Sequence, residues 1–358
     1  MNAEIKTGII FGGLIAAAVV FLAIIFIGLD ESISINSDSG IRKAPNLVGI
    51  SHYLNTSPEK LSEDMENKVI LYDIWTYSCV NCIRTLPYIT AWDEKYADQG
   101  LLIIGIHSPE FEFEKNAENV QVAMEKYGIG YPVVLDNDMK TWKAFENNYW
   151  PRKYIADHQG NLRYDHIGEG GYQETEKIIQ QLLEERSKAM KIESASTATS
   201  LVSIEEFEHT LFRTPELYFG YKFAQNRNQL GSEEGFQHEK IVKYQEPNNI
   251  ELDKFYPIGN WNNHKDSMEL TETKGSIKLS YNAKEVNIVT ENYAELEIFL
   301  DGVPLTKEYQ GTDMTEGNKL KVSNPGMYNI VSNEISSSHI MEIKIQGEGF
   351  QIFTFTFG

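Results

Sequence analysis

Two cysteines, Cys79 and Cys82, are the only ones in the 358-residue chain, and two residues separate them. They close the run Tyr72-Asp73-Ile74-Trp75-Thr76-Tyr77-Ser78-Cys79-Val80-Asn81-Cys82. The apolar residues Val69, Ile70 and Leu71 precede the run, and Ile83, Leu86, Ile89 and Tyr96 follow it with helical spacing. A strand that feeds a helix through Cys-x-x-Cys puts the first sulfur at a helix N-terminus. Unpaired N–H groups and the positive end of the helix dipole favour thiolate over thiol there. Thiolates attack disulfides, so the spacing points to a redox-active pair whose oxidised form is a Cys79–Cys82 disulfide, with no other cofactor.

Other uses of the pair fit less well. Haem attachment requires histidine directly after the second cysteine, and Ile83 stands there. A tetrahedral zinc site needs four ligands, and no second cysteine pair exists to complete one, so no metal is expected. An inert bridge gains stability from the loop it closes, and two intervening residues close almost none.

Asp73 lies six positions before Cys79, Trp75 four before it, and Pro87 five after Cys82. This resembles the thioredoxin pattern of strand, buried acid, tryptophan, dithiol and helix proline. The longer runs Trp75–Tyr88, Ile104–Lys115, Tyr149–Ile155 and Phe353–Gly358 resemble the soluble part of DipZ-type thiol–disulfide interchange proteins, over about residues 44–358. The resemblance implies a cis-proline at Pro151, with Trp150 and Trp75 beside it, where an extended substrate segment would pair. Cys79 would attack and Cys82 would resolve. An aspartate within an apolar strand is costly to ionise, so Asp73 should titrate high and take the proton from Cys82. Ser78, Val80, Asn81, His107 and Glu110 are candidates for the rim.

Around this site the strands Val69–Trp75, Leu101–Ile106, Val133–Leu135, Lys153–Ala156 and Leu162–Ile167 are expected. They alternate with helices at Ile83–Tyr96, about 117–127, about 140–146 and about 173–186, as a thioredoxin-like α/β sheet requires. Residues 187–212 lose apolar periodicity and turn rich in Ser, Ala and Thr. Beyond them short alternating runs predict an all-β sandwich. The resemblance implies a jelly roll like a carbohydrate-binding module. Tyr218, Tyr221, Tyr256 and Trp261 are its candidates for stacking on sugar rings.

No charged residue stands between Lys6 and Asp30, and these 23 positions span about 34 Å as a helix, enough for one membrane crossing. Lys6 before the span and Asp30-Glu31 after it place the bulk of the chain outside the cytoplasm, where disulfides persist. The expected organisation is a transmembrane anchor at 1–29, a linker at 30–43, a thioredoxin-like domain at 44–187, a linker at 188–212 and a β-sandwich at 213–358. A net charge of −20, from 32 basic and 52 acidic residues, argues against nucleic acid.

The leading expectation is a membrane-anchored thiol–disulfide oxidoreductase acting on protein substrates, with reductase the direction that related anchored thioredoxins suggest. A single span differs from DipZ, which carries its own electron-feeding membrane domain, so a separate membrane donor is implied. Two alternatives stand beside it. One is a surface module binding glycan or protein with a vestigial dithiol. The other is a thiol peroxidase based on Thr76, against which Tyr72 replaces the peroxiredoxin proline.

Overall fold

The computed structural model describes residues 42–192, 200–207, 213–224, 226–314 and 316–358. The expected anchor at 1–29, most of the expected linker at 30–43 and about half of that at 188–212 lie outside them. Among the described residues no helix is long and apolar enough to cross a membrane.

The first sheet contains β1 (His52–Leu54), β2 (Val69–Trp75), β3 (Leu101–His107), β4 (Val133–Leu135), β5 (Arg152–Ala156) and β6 (Leu162–Ile167). Its order is β1-β4-β3-β2-β5-β6, with β2 parallel to β3 and antiparallel to β5. All seven residues of β2 are buried, which is why its apolar run does not alternate. The helices here are α1 (Pro58–Asp64), α2 (Val80–Tyr96), α3 (Ala117–Lys126), α4 (Lys140–Ala144) and α5 (Tyr172–Met190). Strand β1 and helix α1 had no counterpart in the sequence reading: three residues without alternation carry no periodic signal. Gly105 of β3 has a packing reason, since an added Cβ would lie 3.0 Å from both the Trp75 indole nitrogen and Val133.

The second sheet comprises β7 (Leu217–Tyr218), β8 (Ile241–Tyr244), β9 (Lys254–Asn263), β10 (Met268–Leu270), β11 (Lys274–Glu291), β12 (Ala294–Leu300), β13 (Val303–Pro304), β14 (Lys319–Val322), β15 (Gly326–Gln346) and β16 (Gln351–Phe357). A short helix α6 (Tyr221–Ala224) follows β7. The strands form one hydrogen-bonded sheet of ten. It curls so that β9 packs against β11, although β16 and β10 lie between them in the pairing order. Shifts in register near Ala283 and Val286 accompany the long β11–β15 pairing. The β12–β13 turn has positive φ at Asp301 (51°) and Gly302 (80°), the backbone a tight hairpin needs.

Residues 43–358 pack as one unit. The two sheets meet through aromatic rings: Phe353 lies 5.1 Å from Phe111 and 4.7 Å from Phe113. Arg84, on α2, donates to Glu285 at 2.7 Å and covers the Phe207 ring at 3.5 Å. The helix that bears the dithiol is therefore tied directly to the β-rich part.

Candidate functional site

Cys79 is the N-cap of α2, and its sulfur accepts the Cys82 backbone N–H at 3.3 Å. This satisfies a donor that the helix would otherwise leave open. Both thiols are free; Cys79 is half-buried and Cys82 is buried. Burial pushes the Cys82 thiol well up, and the neighbouring Cys79 sulfur adds to the effect. One sulfur is thus presented for attack while the other waits behind it.

Beneath them Asp73 pairs in register with Lys153 across β2 and β5. Both side chains are buried. Burial raises Asp73 to about 7, against the pull of Lys153. The same burial lowers Lys153 to about 8, against the pull of Asp73, Cys82 and Glu169. Lys153 Nζ donates to the Gly168 carbonyl at 3.2 Å, while Asp73 Oδ1 has no hydrogen-bond partner among the described residues. An acid poised near neutrality below a buried thiol is equipped to move its proton.

Glu114 organises the loop above. Its Oε1 accepts from the Thr76 and Ser78 hydroxyls, both at 2.5 Å, and its Oε2 from the N–H groups of Glu110 (2.6 Å) and Phe111 (2.9 Å). Thr76 commits its one proton to Glu114, so the His107 Nε2, 3.3 Å away, is the donor in that contact. His107 is fully buried, stacks on Tyr77 and is lowered to about 3 by burial, so it is neutral. Glu114→Ala should lower stability by about 3 kcal/mol or more, because three buried donors and one half-buried donor lose their acceptor. A urea midpoint indistinguishable from wild type would show that other groups hold the loop.

A cleft of about 430 Å³ opens over Cys79. Ser78, Val80, Asn81, Glu110 and Trp150 line it from the first sheet's side. The peptide bond between Trp150 and Pro151 is cis, and the Trp150 indole donates to the Ser108 carbonyl at 2.9 Å. Of the expected site residues, Trp75 and His107 do not reach the cleft surface; both are enclosed beneath it. Pro151 is buried at the start of β5.

The opposite wall comes from the β-rich part, including Thr214, Pro215, Glu216, Tyr218, Arg227 and Thr356. Tyr218 Oη lies 3.0 Å from Glu110 and 2.8 Å from Glu216. One hydroxyl proton cannot serve two carboxylates, so the pair retains another. Burial, with the charges of Glu216 and Glu114 adding to it, accordingly pushes Glu110 up to about 8, and burial raises Glu216.

Glu114, Lys153 and Glu216 were missed in the sequence. Lys153, like Asp73, is a charge inside a buried strand, and that pattern is visible in the sequence. Three of the four aromatics considered for sugar stacking, Tyr218, Tyr256 and Trp261, are buried and offer no open face. The fourth, Tyr221, stacks on His238 at 3.9 Å.

Residues 42–183 match the Redoxin family, and residues 214–358 match the thioredoxin like C-terminal domain. Protein DipZ of Mycobacterium tuberculosis is 32% identical over 317 residues, which cover 88% of this chain and 43% of that protein. The chain therefore spans less than half the length of that relative. Thiol-disulfide oxidoreductase YkuV of Bacillus subtilis is 29% identical over 141 residues, covering 39% of this chain and 94% of its own. The solution structure of a thioredoxin-like protein in the oxidized form is 28% identical, covers 40% of this chain and 97% of its own, and has a TM-score of 0.37.

Proposed function

We propose that the chain is a DipZ-type, thioredoxin-like thiol–disulfide protein that exchanges disulfides with protein substrates, as a reductase. The observation that carries this reading is the half-buried Cys79 sulfur at the N-cap of α2, with the buried Cys82 thiol behind it.

In the proposed reaction the Cys79 thiolate attacks one sulfur of a substrate disulfide. The substrate S–S bond breaks, and the departing thiolate takes a proton from solvent. Asp73 then accepts the Cys82 proton, and the Cys82 sulfur attacks Cys79 in the mixed disulfide. The second substrate thiolate leaves, and a Cys79–Cys82 disulfide remains. Two electrons have passed to the substrate, so a separate donor must return them. Trp150 and Pro151 would position the substrate segment beside Cys79. Residues 1–29 would anchor the chain with its bulk outside the cytoplasm. The domain bounds we propose are 44–187 and 213–358, the second a sandwich of jelly-roll type. For that part, enclosure of the candidate stacking aromatics favours docking against the redox domain over sugar binding.

The test is to equilibrate the Cys79/Cys82 pair in thiol–disulfide buffers and to follow turnover of a disulfide-bonded protein. A potential well below that of the substrate, with multiple turnovers in the presence of a chemical reductant, is the expected result. A pair that stays inert towards every disulfide would defeat the assignment.

A further inference from the structure

We propose that the β-rich C-terminal part is a wall of the redox site, and that the cleft it forms with the Cys79 face admits a thin, extended disulfide and excludes folded partners. This deepens the proposed thiol–disulfide function and rests on it.

Three observations carry the inference. The cleft over Cys79 is lined from both parts of the molecule: Val80 and Trp150 face Pro215, Arg227 and Thr356. Its volume of about 430 Å³ is small. It falls in the range of small-molecule pockets, about 300–1,000 Å³, whereas a folded partner presents about 800 Å² of its surface. A short extended segment or a small disulfide can enter such a space edge on; the face of a domain cannot.

The wall is also held in place. Arg84 bridges from α2 to Glu285, and Phe353 packs against both Phe111 and Phe113. The Tyr218 hydroxyl joins Glu110 of one part to Glu216 of the other. Arg227 lies 4.7 Å over the Tyr218 ring and so adds a cation at the cleft edge.

Finally, the lining contains a polar group without a partner among the described residues: Thr356 is 2% exposed and lines the cleft, and its Oγ1 makes no hydrogen bond to any of them. A buried hydroxyl left unpaired costs free energy unless an incoming group satisfies it. A peptide amide or a carboxylate of a small disulfide would do so.

The experiment uses the full chain with a chemical reductant and three probes: oxidised glutathione, a short unstructured peptide with one disulfide, and a folded domain with one surface disulfide. The peptide, glutathione or both should turn over at least tenfold faster than the folded domain. Which of the two is preferred tells whether the natural source is an extended chain or a small molecule. Pro215→Trp fills the cleft from the far wall at an exposed position, and should slow the preferred probe at least tenfold without moving the Cys79/Cys82 potential. Should that variant fail to fold, Arg227→Trp tests the same wall. Thr356→Val should raise KM several-fold and leave kcat unchanged. Equal rates for folded and extended probes, or a blocked cleft that costs nothing, would overturn the inference while leaving the oxidoreductase reading intact. Inertness of the wild type towards all three probes would instead remove that reading, and this inference with it.

Discussion

Cys79→Ser should abolish disulfide turnover, a loss on the order of 10³-fold or more, because the one other thiol of the chain, Cys82, is buried. Cys82→Ser should behave differently. The first attack needs only the half-buried Cys79 sulfur, so this variant should complete it and stop at the mixed disulfide. Cys82 is buried within the first turn of α2 and cannot make the first attack itself. Mass spectrometry of each variant after exposure to a substrate disulfide separates the outcomes. An adduct on Cys82→Ser and none on Cys79→Ser is expected. An adduct through Cys82 in the Cys79→Ser variant would reverse the assigned order of attack.

Asp73→Asn should slow the second step about 100-fold, since asparagine keeps the shape of the side chain but cannot accept the Cys82 proton. In the wild type this step should accelerate as pH rises through about 7, where the Asp73 carboxyl ionises. The variant should lose that inflection. Stability should move the other way. Asp73 is raised from its ordinary 3.8 to about 7, so the folded chain binds the extra proton between these values and loses stability as pH climbs through that window. Lys153, lowered to about 8, has the opposite dependence: its buried charge weighs on the fold below that pH and is shed above it. At pH 9 the wild type therefore holds an ionised Asp73 opposite a largely neutral Lys153. Asp73→Asn should be more stable there by about 2 kcal/mol, a rise of several degrees in Tm. A variant equally fast in the second step at every pH would remove Asp73 from the proton path. A variant less stable at pH 9 would show that the ionised carboxylate has partners beyond Lys153.

Strand β2, helix α2 and the place of Cys79 between them were legible because each depends on a few consecutive residues. An unbroken apolar run marks a strand buried on both faces, and helical spacing after Cys82 marks the next element. The acid within that strand betrayed its own burial. In the β-rich part, Ile277, Leu279 and Tyr281 alternate along β11, and Asp301-Gly302 has the residue types of the tight turn between β12 and β13. Strand β1, only three residues long, was invisible for want of a period.

By itself, then, the sequence determined the dithiol chemistry, the strand–helix junction that presents it and the succession of an α/β sheet and β strands. The tertiary structure alone decided what surrounds the sulfurs. Lys153 meets Asp73 through cross-strand register over 80 positions, Glu114 collects donors from Thr76 and Ser78, and Tyr218 joins carboxyls from two parts of the chain. The Glu114 and Tyr218 partnerships require side chains distant in sequence to meet within about 3 Å. Hydrogen bonding at that range depends on register, packing and rotamer, none of which leaves a local pattern in the order of residues.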